Sequence, residues 1–431
     1  MIRFDFLSNV DQVMLGSIGG NMAIQRKQCL YLILAIVFFL TGQGHLVYGA
    51  AVIPGDARTE EYLPLLAGKR VALFCNQTAR IGEEHILDVL LKDGQYVTAL
   101  FSPEHGIRGD APAGESVDSG TDPVTGIPIL SLYDGDTVMP AKEDMEKFDV
   151  LVMDIQDVGL RYYTYYINIC DLMEACACYD KEVILLDRPN PNGHYVDGPL
   201  LDMSLKSHVG RLPIPTVHGM TLGELMNMAI GEGWLNLRHK PKFTVIPCLN
   251  YNHRTAYALP VPPSPNLPNM KSIYLYPSLC PFEGTAVSVG RGTEHPFQCF
   301  GAPELQGEYS YSFTPTSMKS ALSPLREGEI CYGADFSQES ELKLRSKGMD
   351  LSYVVNAYKI FRKQGKGEKF FWKFTSRRSG REMVYFDLLM GQTYVREAIM
   401  AGKSAQEISA MWQEDVRRFQ KQRRPYLLYE E

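Results

Sequence analysis

The sequence is short of several things, and each shortage removes a class of function. Among its 431 residues there is no apolar run long enough to span a bilayer, which takes about 20 residues; the longest, Cys29 to Leu40, has twelve. No basic run of the kind that lines a nucleic-acid groove occurs, and 43 Lys and Arg against 50 Asp and Glu leave a formal charge of -7. Nucleic acid is therefore excluded as an expected partner. No G-x-G-x-x-G follows the first strand of the expected mature chain, and neither a phosphate-binding P-loop nor H-E-x-x-H occurs, so nucleotide cofactors and zincin chemistry are not expected. Residues 286–290, Ala-Val-Ser-Val-Gly, lack the first glycine of a nucleophile elbow. Cysteines are scattered, and Cys176-Ala177-Cys178 has no second pair with which to hold zinc. No metal and no cofactor is expected, and buried thiols are at least as natural a reading as a disulfide framework.

What is present begins with an export-like leader. Arg26 and Lys27 precede the apolar run, polar and glycine residues break it at Thr41 to Gly44, and small residues follow at Gly49 and Ala50. Residues 1–49 read as a signal peptide cleaved near Gly49, placing the mature protein outside the cytoplasm, in the periplasm, with no stable membrane anchor; a single anchor is the alternative.

After residue 50 the chain alternates β-rich runs with amphipathic stretches. Strands are predicted at 71–74, 97–101, 150–153, 183–186 and 243–246, with helices at 83–91, 162–179 and 222–230. Continuous apolar strands separated by helices predict an α/β fold, a Rossmann-like parallel sheet covered on both faces. Five prolines between Leu259 and Pro268 exclude regular helix or central strand, and a domain boundary is placed near residue 270. Residues 50–270 form the expected catalytic domain. Residues 271–431 form a smaller α+β domain completing the cleft, with a strand near 285–289 and helices near 351–362 and 405–420.

In an open α/β sheet, ligands bind beyond the carboxyl ends of the strands. Four predicted strands end in polar clusters: Asn76, Gln77 and Thr78; Glu104, His105 and Arg108; Asp154, Gln156, Asp157 and Arg161; Asp187, Arg188, Asn190 and Asn192. Within Ser102-Pro103-Glu104-His105-Gly106, the proline and glycine would hold Glu104 and His105 on a stiff bend, where a partly desolvated glutamate can pass a proton to a leaving oxygen near neutral pH. An ordinary surface turn is the plainer alternative. Arg161 could grip a carboxylate bidentately and the tyrosines at 162–166 suit sugar faces, although Tyr165 and Tyr166 read better as packing against the sheet. Past residue 270, Glu283 and Arg291 frame a short strand and offer a second carboxylate and a second anion grip, or a solvated hairpin.

These motifs together resemble the NamZ family: residues 102–109, Ser-Pro-Glu-His-Gly-Ile-Arg-Gly; residues 154–165, Asp-Ile-Gln-Asp-Val-Gly-Leu-Arg-Tyr-Tyr-Thr-Tyr; residues 187–191, Asp-Arg-Pro-Asn-Pro; and Phe-Glu-Gly-Thr with Gly-Arg-Gly-Thr in 282–293. The resemblance runs from about Arg70 to the C-terminus. It implies an exo-acting β-N-acetylmuramidase of cell-wall recycling that releases terminal N-acetylmuramic acid from the non-reducing end of peptidoglycan-derived disaccharides or muropeptides, with the site in the cleft between two domains. Glu104 takes the place of the family's proposed catalytic glutamate, with His105 beside it. Glu283 and Asp157 are the candidates for the second catalytic group. A retaining enzyme needs that carboxyl about 5–5.5 Å from the acid, an inverting one about 6.5–9.5 Å, and a substrate-assisted one uses it only to orient the sugar's acetamido group. The implied substrate carries a lactyl carboxylate, for which Arg108, Arg161, Arg188 and Arg291 are candidates, Arg161 and Arg291 first. Asn76, Asp154, Gln156, Tyr163, Asp187, Asn190 and His218 complete the expected substrate-binding set. The rival readings are a non-catalytic cell-wall sugar-binding protein and an esterase or amidase.

Overall fold

The computed structural model describes residues 50–103, 106–107, 120–132, 139–376, 380 and 382–431. Seven strands form the main sheet: β1 (Arg70–Cys75), β2 (Tyr96–Phe101), β3 (Gly120–Thr121), β4 (Pro128–Leu130), β5 (Val150–Asp154), β6 (Glu182–Leu186) and β7 (Lys242–Ile246). Their order is β3-β4-β2-β1-β5-β6-β7, parallel throughout except that β3 runs antiparallel to β4. The chain moves from β1 to one side through β2 and β4, then returns to the other side of β1 with β5. The sheet thus has its topological switch point between β1 and β5, where such folds open a crevice.

Period-two alternation places apolar side chains on both faces. Ala72, Phe74, Ala99, Phe101, Leu151, Met153, Val183 and Leu185 enter one core. Val71, Leu73, Leu100, Val150, Val152, Ile184 and Leu186 enter the other. The smaller core is closed by α1 (Thr59–Leu66) and α2 (Ile86–Lys92) through Tyr62, Leu66, Ile86, Leu87 and Leu90. The larger is closed by α3 (Tyr165–Cys178) and α4 (Leu222–Gly231), and it continues without a break past residue 270 into Phe282, Phe300, Phe361 and Trp412. Residues 52–431 form one compact unit.

Helix α5 (Met270–Leu279) follows the proline-rich segment and starts at a reciprocal Asn269–Ser272 cap. Beyond it lie a three-stranded antiparallel sheet, β8 (Cys299–Ala302), β9 (Tyr311–Phe313) and β10 (Cys331–Asp335), a ribbon of β11 (Lys373–Thr375) with β12 (Glu382–Val384), and helices α6 (Ser352–Lys363), α7 (Tyr385–Met390), α8 (Ala405–Ala410) and α9 (Gln413–Arg423). This is the α+β second part expected.

Three local expectations are corrected. The strand predicted at 285–289 is a loop: Ala286 bonds Phe370 while Ser288 exchanges both backbone bonds with Gly301, so no single neighbour offers a ladder. The helix predicted from Tyr162 begins at Tyr165, because the hydroxyls of Tyr162 and Tyr163 are drawn to the carbonyls of Tyr276, Pro277 and Pro263. The last predicted helix is two, broken between Ala410 and Gln413. No disulfide joins any of the eight described cysteines, and no described helix is long and apolar enough to cross a membrane.

Candidate active site

The loops that follow β1, β5 and β6 meet at the switch point, and most of their polar side chains are used to hold one another. Asn76 accepts from Thr78 N (3.0 Å) and Thr78 Oγ1 (2.6 Å), and Thr78 Oγ1 accepts from Gln156 N at 3.1 Å, tying β1 to β5. The Gln156 amide donates to the carbonyls of Asp157 and Pro189, tying β5 to β6. Arg188 lies between Asp154 (Nε, 2.5 Å) and Asp56 (Nη2, 2.6 Å), all three buried. Burial opposes the guanidinium charge, but the two carboxylates outweigh it and hold the Arg188 pKa above its ordinary value. Asp187 accepts from Thr221 Oγ1, Gly223 N and the Tyr429 hydroxyl. Asn190 donates to Met220 O and accepts from Asn192 N.

Six expected substrate contacts, Asn76, Asp154, Gln156, Asp187, Arg188 and Asn190, are thus buried and engaged inside the protein. Arg161 departs furthest from expectation. It is 0% exposed, and its guanidinium donates to the carbonyls of Pro199, Ile214 and Leu389. A guanidinium so enclosed is a bracket between distant loops and presents no face to a substrate carboxylate. Its pKa falls to about 10 through burial.

Other groups retain unused chemistry. Asp157 Oδ1 accepts from Gly159 N at 2.6 Å, while its buried Oδ2 has no hydrogen-bond partner. Burial lifts this carboxyl to about 7, against the lowering effect of the backbone N–H groups of Gly159 and Val158. A residue poised there can give or take a proton at neutral pH. His218 is also buried; Nδ1 accepts from Met220 N, Nε2 has no partner, and burial together with Arg423 and Arg161 presses its pKa down to about 3, so it is neutral. The backbone N–H of His218 donates to Gly159 O at 3.4 Å, two residues from Asp157.

Aromatic rings lead from the rim to the second candidate cluster. Tyr163 packs edge-on against Tyr165 (4.7 Å) and Tyr276 (6.3 Å), Tyr276 against Phe297 (4.8 Å), and the Arg291 guanidinium lies 5.0 Å from the Phe297 centroid. Arg291 Nε pairs with Glu283 Oε1 at 2.8 Å. In place of the solvated hairpin that was the alternative here, the two residues form a half-buried ion pair. It lines a cavity of about 1010 Å³ walled by Ser288, Leu322, Arg326 and Trp372. Among the described residues no group of three or more His, Cys, Asp or Glu side chains is arranged to hold a metal ion.

Residues 71–271 match the family model of exo-β-N-acetylmuramidase NamZ, N-terminal, and residues 274–429 match its C-terminal counterpart. The chain belongs to the NamZ family. With membership comes a class of chemistry, the hydrolysis of a glycosidic bond. A curated relative, peptidoglycan β-N-acetylmuramidase NamZ of Bacillus subtilis (strain 168), is 33% identical over 397 residues, covering 87% of this chain and 90% of that protein. Two solved structures of DUF1343 family proteins from Bacteroides fragilis NCTC 9343 are also similar. One has a TM-score of 0.79 at 50% identity, covering 89% of this chain and 100% of its own; the other has 0.73 at 26%, covering 88% and 99%.

Of the NamZ-like motif after β2, Glu104, His105 and Arg108 lie outside the described residues. Its described flanks are a buried Pro103 and Gly106, whose φ of +76° favours glycine and whose N–H donates to Pro103 O at 3.2 Å. Sequence reasoning also passed over residues that shape the rim. Asp56 completes the Arg188 triad, and Pro263 receives the hydroxyls of Tyr163 and Tyr165, so the proline-rich segment straps the rim. Tyr429 returns from the C-terminus to Asp187. The proline run was a visible signal; Asp56 and Tyr429 carried none, since only the fold brings them near.

Proposed function

We propose that this protein is an exo-β-N-acetylmuramidase that removes terminal N-acetylmuramic acid from the non-reducing end of peptidoglycan fragments, with Glu104 as general acid and base. The observation that carries this reading is the match of both halves of the chain, in order, to the two parts of the NamZ model. The substrate named for the Bacillus subtilis relative supports it. His105 orients the Glu104 carboxyl. Asp157 serves as the second proton-handling group, a role supported by its raised pKa and unpaired Oδ2. Glu283 aims Arg291 at the lactyl carboxylate, supported by their 2.8 Å contact at the cavity wall. Arg108 is a second cation for the same substrate. The reading includes export: the basic and apolar leader is removed near Gly49 and the enzyme works in the periplasm on small fragments.

The test is incubation with N-acetylmuramyl-N-acetylglucosamine and with a chromogenic muramide. Free N-acetylmuramic acid is expected from the wild type. In Glu104→Gln, kcat is expected to fall at least about 100-fold with substrate binding retained. A wild-type protein that binds the disaccharide without turnover would make it a binding protein. Products cut from inside long glycan strands would exclude exo action.

A further inference from the structure

The cavity beside Glu283 and Arg291 is larger than one terminal sugar requires. Its volume of about 1010 Å³ sits at the upper end of ordinary ligand sites. Its lining combines two kinds of group. Arg291 and Glu283 form their ion pair, with the guanidinium over the buried Phe297 ring. Trp372, 55% exposed, is a large apolar surface left open to solvent. Trp372 is nonetheless firmly placed. Its backbone N–H donates to Gly284 O at 2.9 Å, its carbonyl accepts from Tyr385 N at 3.0 Å, and its ring lies 5.6 Å from Tyr385 and 6.1 Å from Phe374. The loop opposite supplies hydroxyls at Ser320 and Ser323, and it is held to the rim because Asn266 in the proline strap donates to Ser320 O at 2.9 Å.

A rigid, exposed indole beside hydroxyls and a charged pair matches one ligand chemistry. A pyranose ring has apolar C–H faces that stack on an aromatic plane and polar edges that need hydrogen-bond partners. A peptide strand would call for unpaired backbone groups along an edge, and a lipid for a continuous apolar face. Here Trp372 is the exposed aromatic of a mixed wall: Leu322 and Leu325 add apolar surface, and Ser320, Ser323, Lys369, Glu283 and Arg291 add polar and charged groups.

We propose that Trp372 is the platform of a second sugar subsite. It takes the ring on the leaving side of the scissile bond, while the carboxylate of the acidic terminal sugar goes to Arg291. This inference deepens the muramidase reading and rests on it for the order of the two rings. In that reading the ring to be released carries the lactyl carboxylate and goes to Arg291, so the remainder of the fragment lies across Trp372.

The experiment uses a sulfur-linked, uncleavable analogue of N-acetylmuramyl-N-acetylglucosamine, with free N-acetylmuramic acid as the one-ring probe. The chain has three tryptophans. Trp412 is buried with its indole on Asp197, and Trp234 is half-buried outside the cavity, so a change in tryptophan fluorescence on adding the disaccharide reports Trp372. Calorimetry should show Trp372→Ala binding the disaccharide about tenfold more weakly, with N-acetylmuramic acid affinity unchanged and the fluorescence response lost. Trp372→Phe should retain most of the affinity and the wild-type melting temperature. In turnover of the natural disaccharide, Trp372→Ala should raise KM with little change in kcat. Equal disaccharide affinity in Trp372→Ala and wild type, an equal loss for both probes, or no binding of the analogue by wild type would overturn the proposal. Should wild type bind the analogue through Trp372 yet release no N-acetylmuramic acid, the muramidase reading alone would fall.

Discussion

Asp157 carries the sharpest consequence at the scale of a single side chain. In the unfolded chain its carboxyl titrates near its ordinary value of 3.8, and in the folded protein at about 7. Between those values the native state holds a proton that the unfolded state has released, so this group's contribution to stability falls as pH rises from about 4 to 7 and is level above. Asn mimics the protonated form and can still accept from Gly159 N. Asp157→Asn should therefore match wild type near pH 4 and exceed it by on the order of 4 kcal/mol at pH 8, measured by urea unfolding across that range. Muramidase activity should fall about 100-fold at the same time. A variant that is neither stabilised at high pH nor impaired would remove Asp157 from the site. Arg161 shows where residue-level reading stops. Its place after a strand was legible, but the carbonyls that consume it belong to residues 38, 53 and 228 positions away, and no spacing rule reports those.

Elements were more legible than side chains because their signals are local. The apolar runs of β1, β2, β5 and β6 enter two cores by alternation, and that pattern is written in consecutive residues. By contrast β3 and β4, with two and three residues, are too short to show a period, and residues 285–289 looked like a strand because burial and β-branching do not reveal which neighbour will pair. The rim itself was foreseen, since strand ends are fixed by the strands. Its internal economy was not: Asp56 before α1, Asp154 on β5 and Arg188 after β6 close into one buried triad across three elements. Burial and the neighbouring Asp154 push the Asp56 pKa up, and Arg188 is what keeps both carboxylates together. Arg188→Met should strand two buried acids and cost about 3–5 kcal/mol, read as a lowered urea midpoint. The loss should shrink in acid, where protonated carboxyls no longer repel. An equal loss at every pH would mean that Arg188 contributes packing rather than charge.

Across the whole molecule, the larger core runs from the Rossmann-like sheet into the second half, and the last residues of the chain return to the sheet's carboxyl edge. Tyr429 donates to Asp187 Oδ2 at 2.7 Å and its hydroxyl accepts from Cys248 N at 2.9 Å. The N–H groups of Leu428 and Tyr429 both reach Glu224 Oε1, and His253 N donates to Glu430 O. Glu224 and His253 are buried and in contact, and Asp187 follows β6. Leu428 and Tyr429 therefore satisfy two buried carboxylates that belong to the sheet domain, and each acceptor left without its donor costs about 1–3 kcal/mol. Deleting Leu427 to Glu431 should lower Tm by on the order of 5 °C or more. Tyr429→Phe, which removes one donor and one acceptor, should cause a smaller fall of the same sign. Because the damage lies at the junction, calorimetry of the deletion should show destabilisation of the sheet half and the second half together, within one transition. Two separated transitions would show that the halves fold independently and that the tail only fastens them, while an unchanged melting curve would show that water replaces the tail at Asp187 and Glu224 without cost.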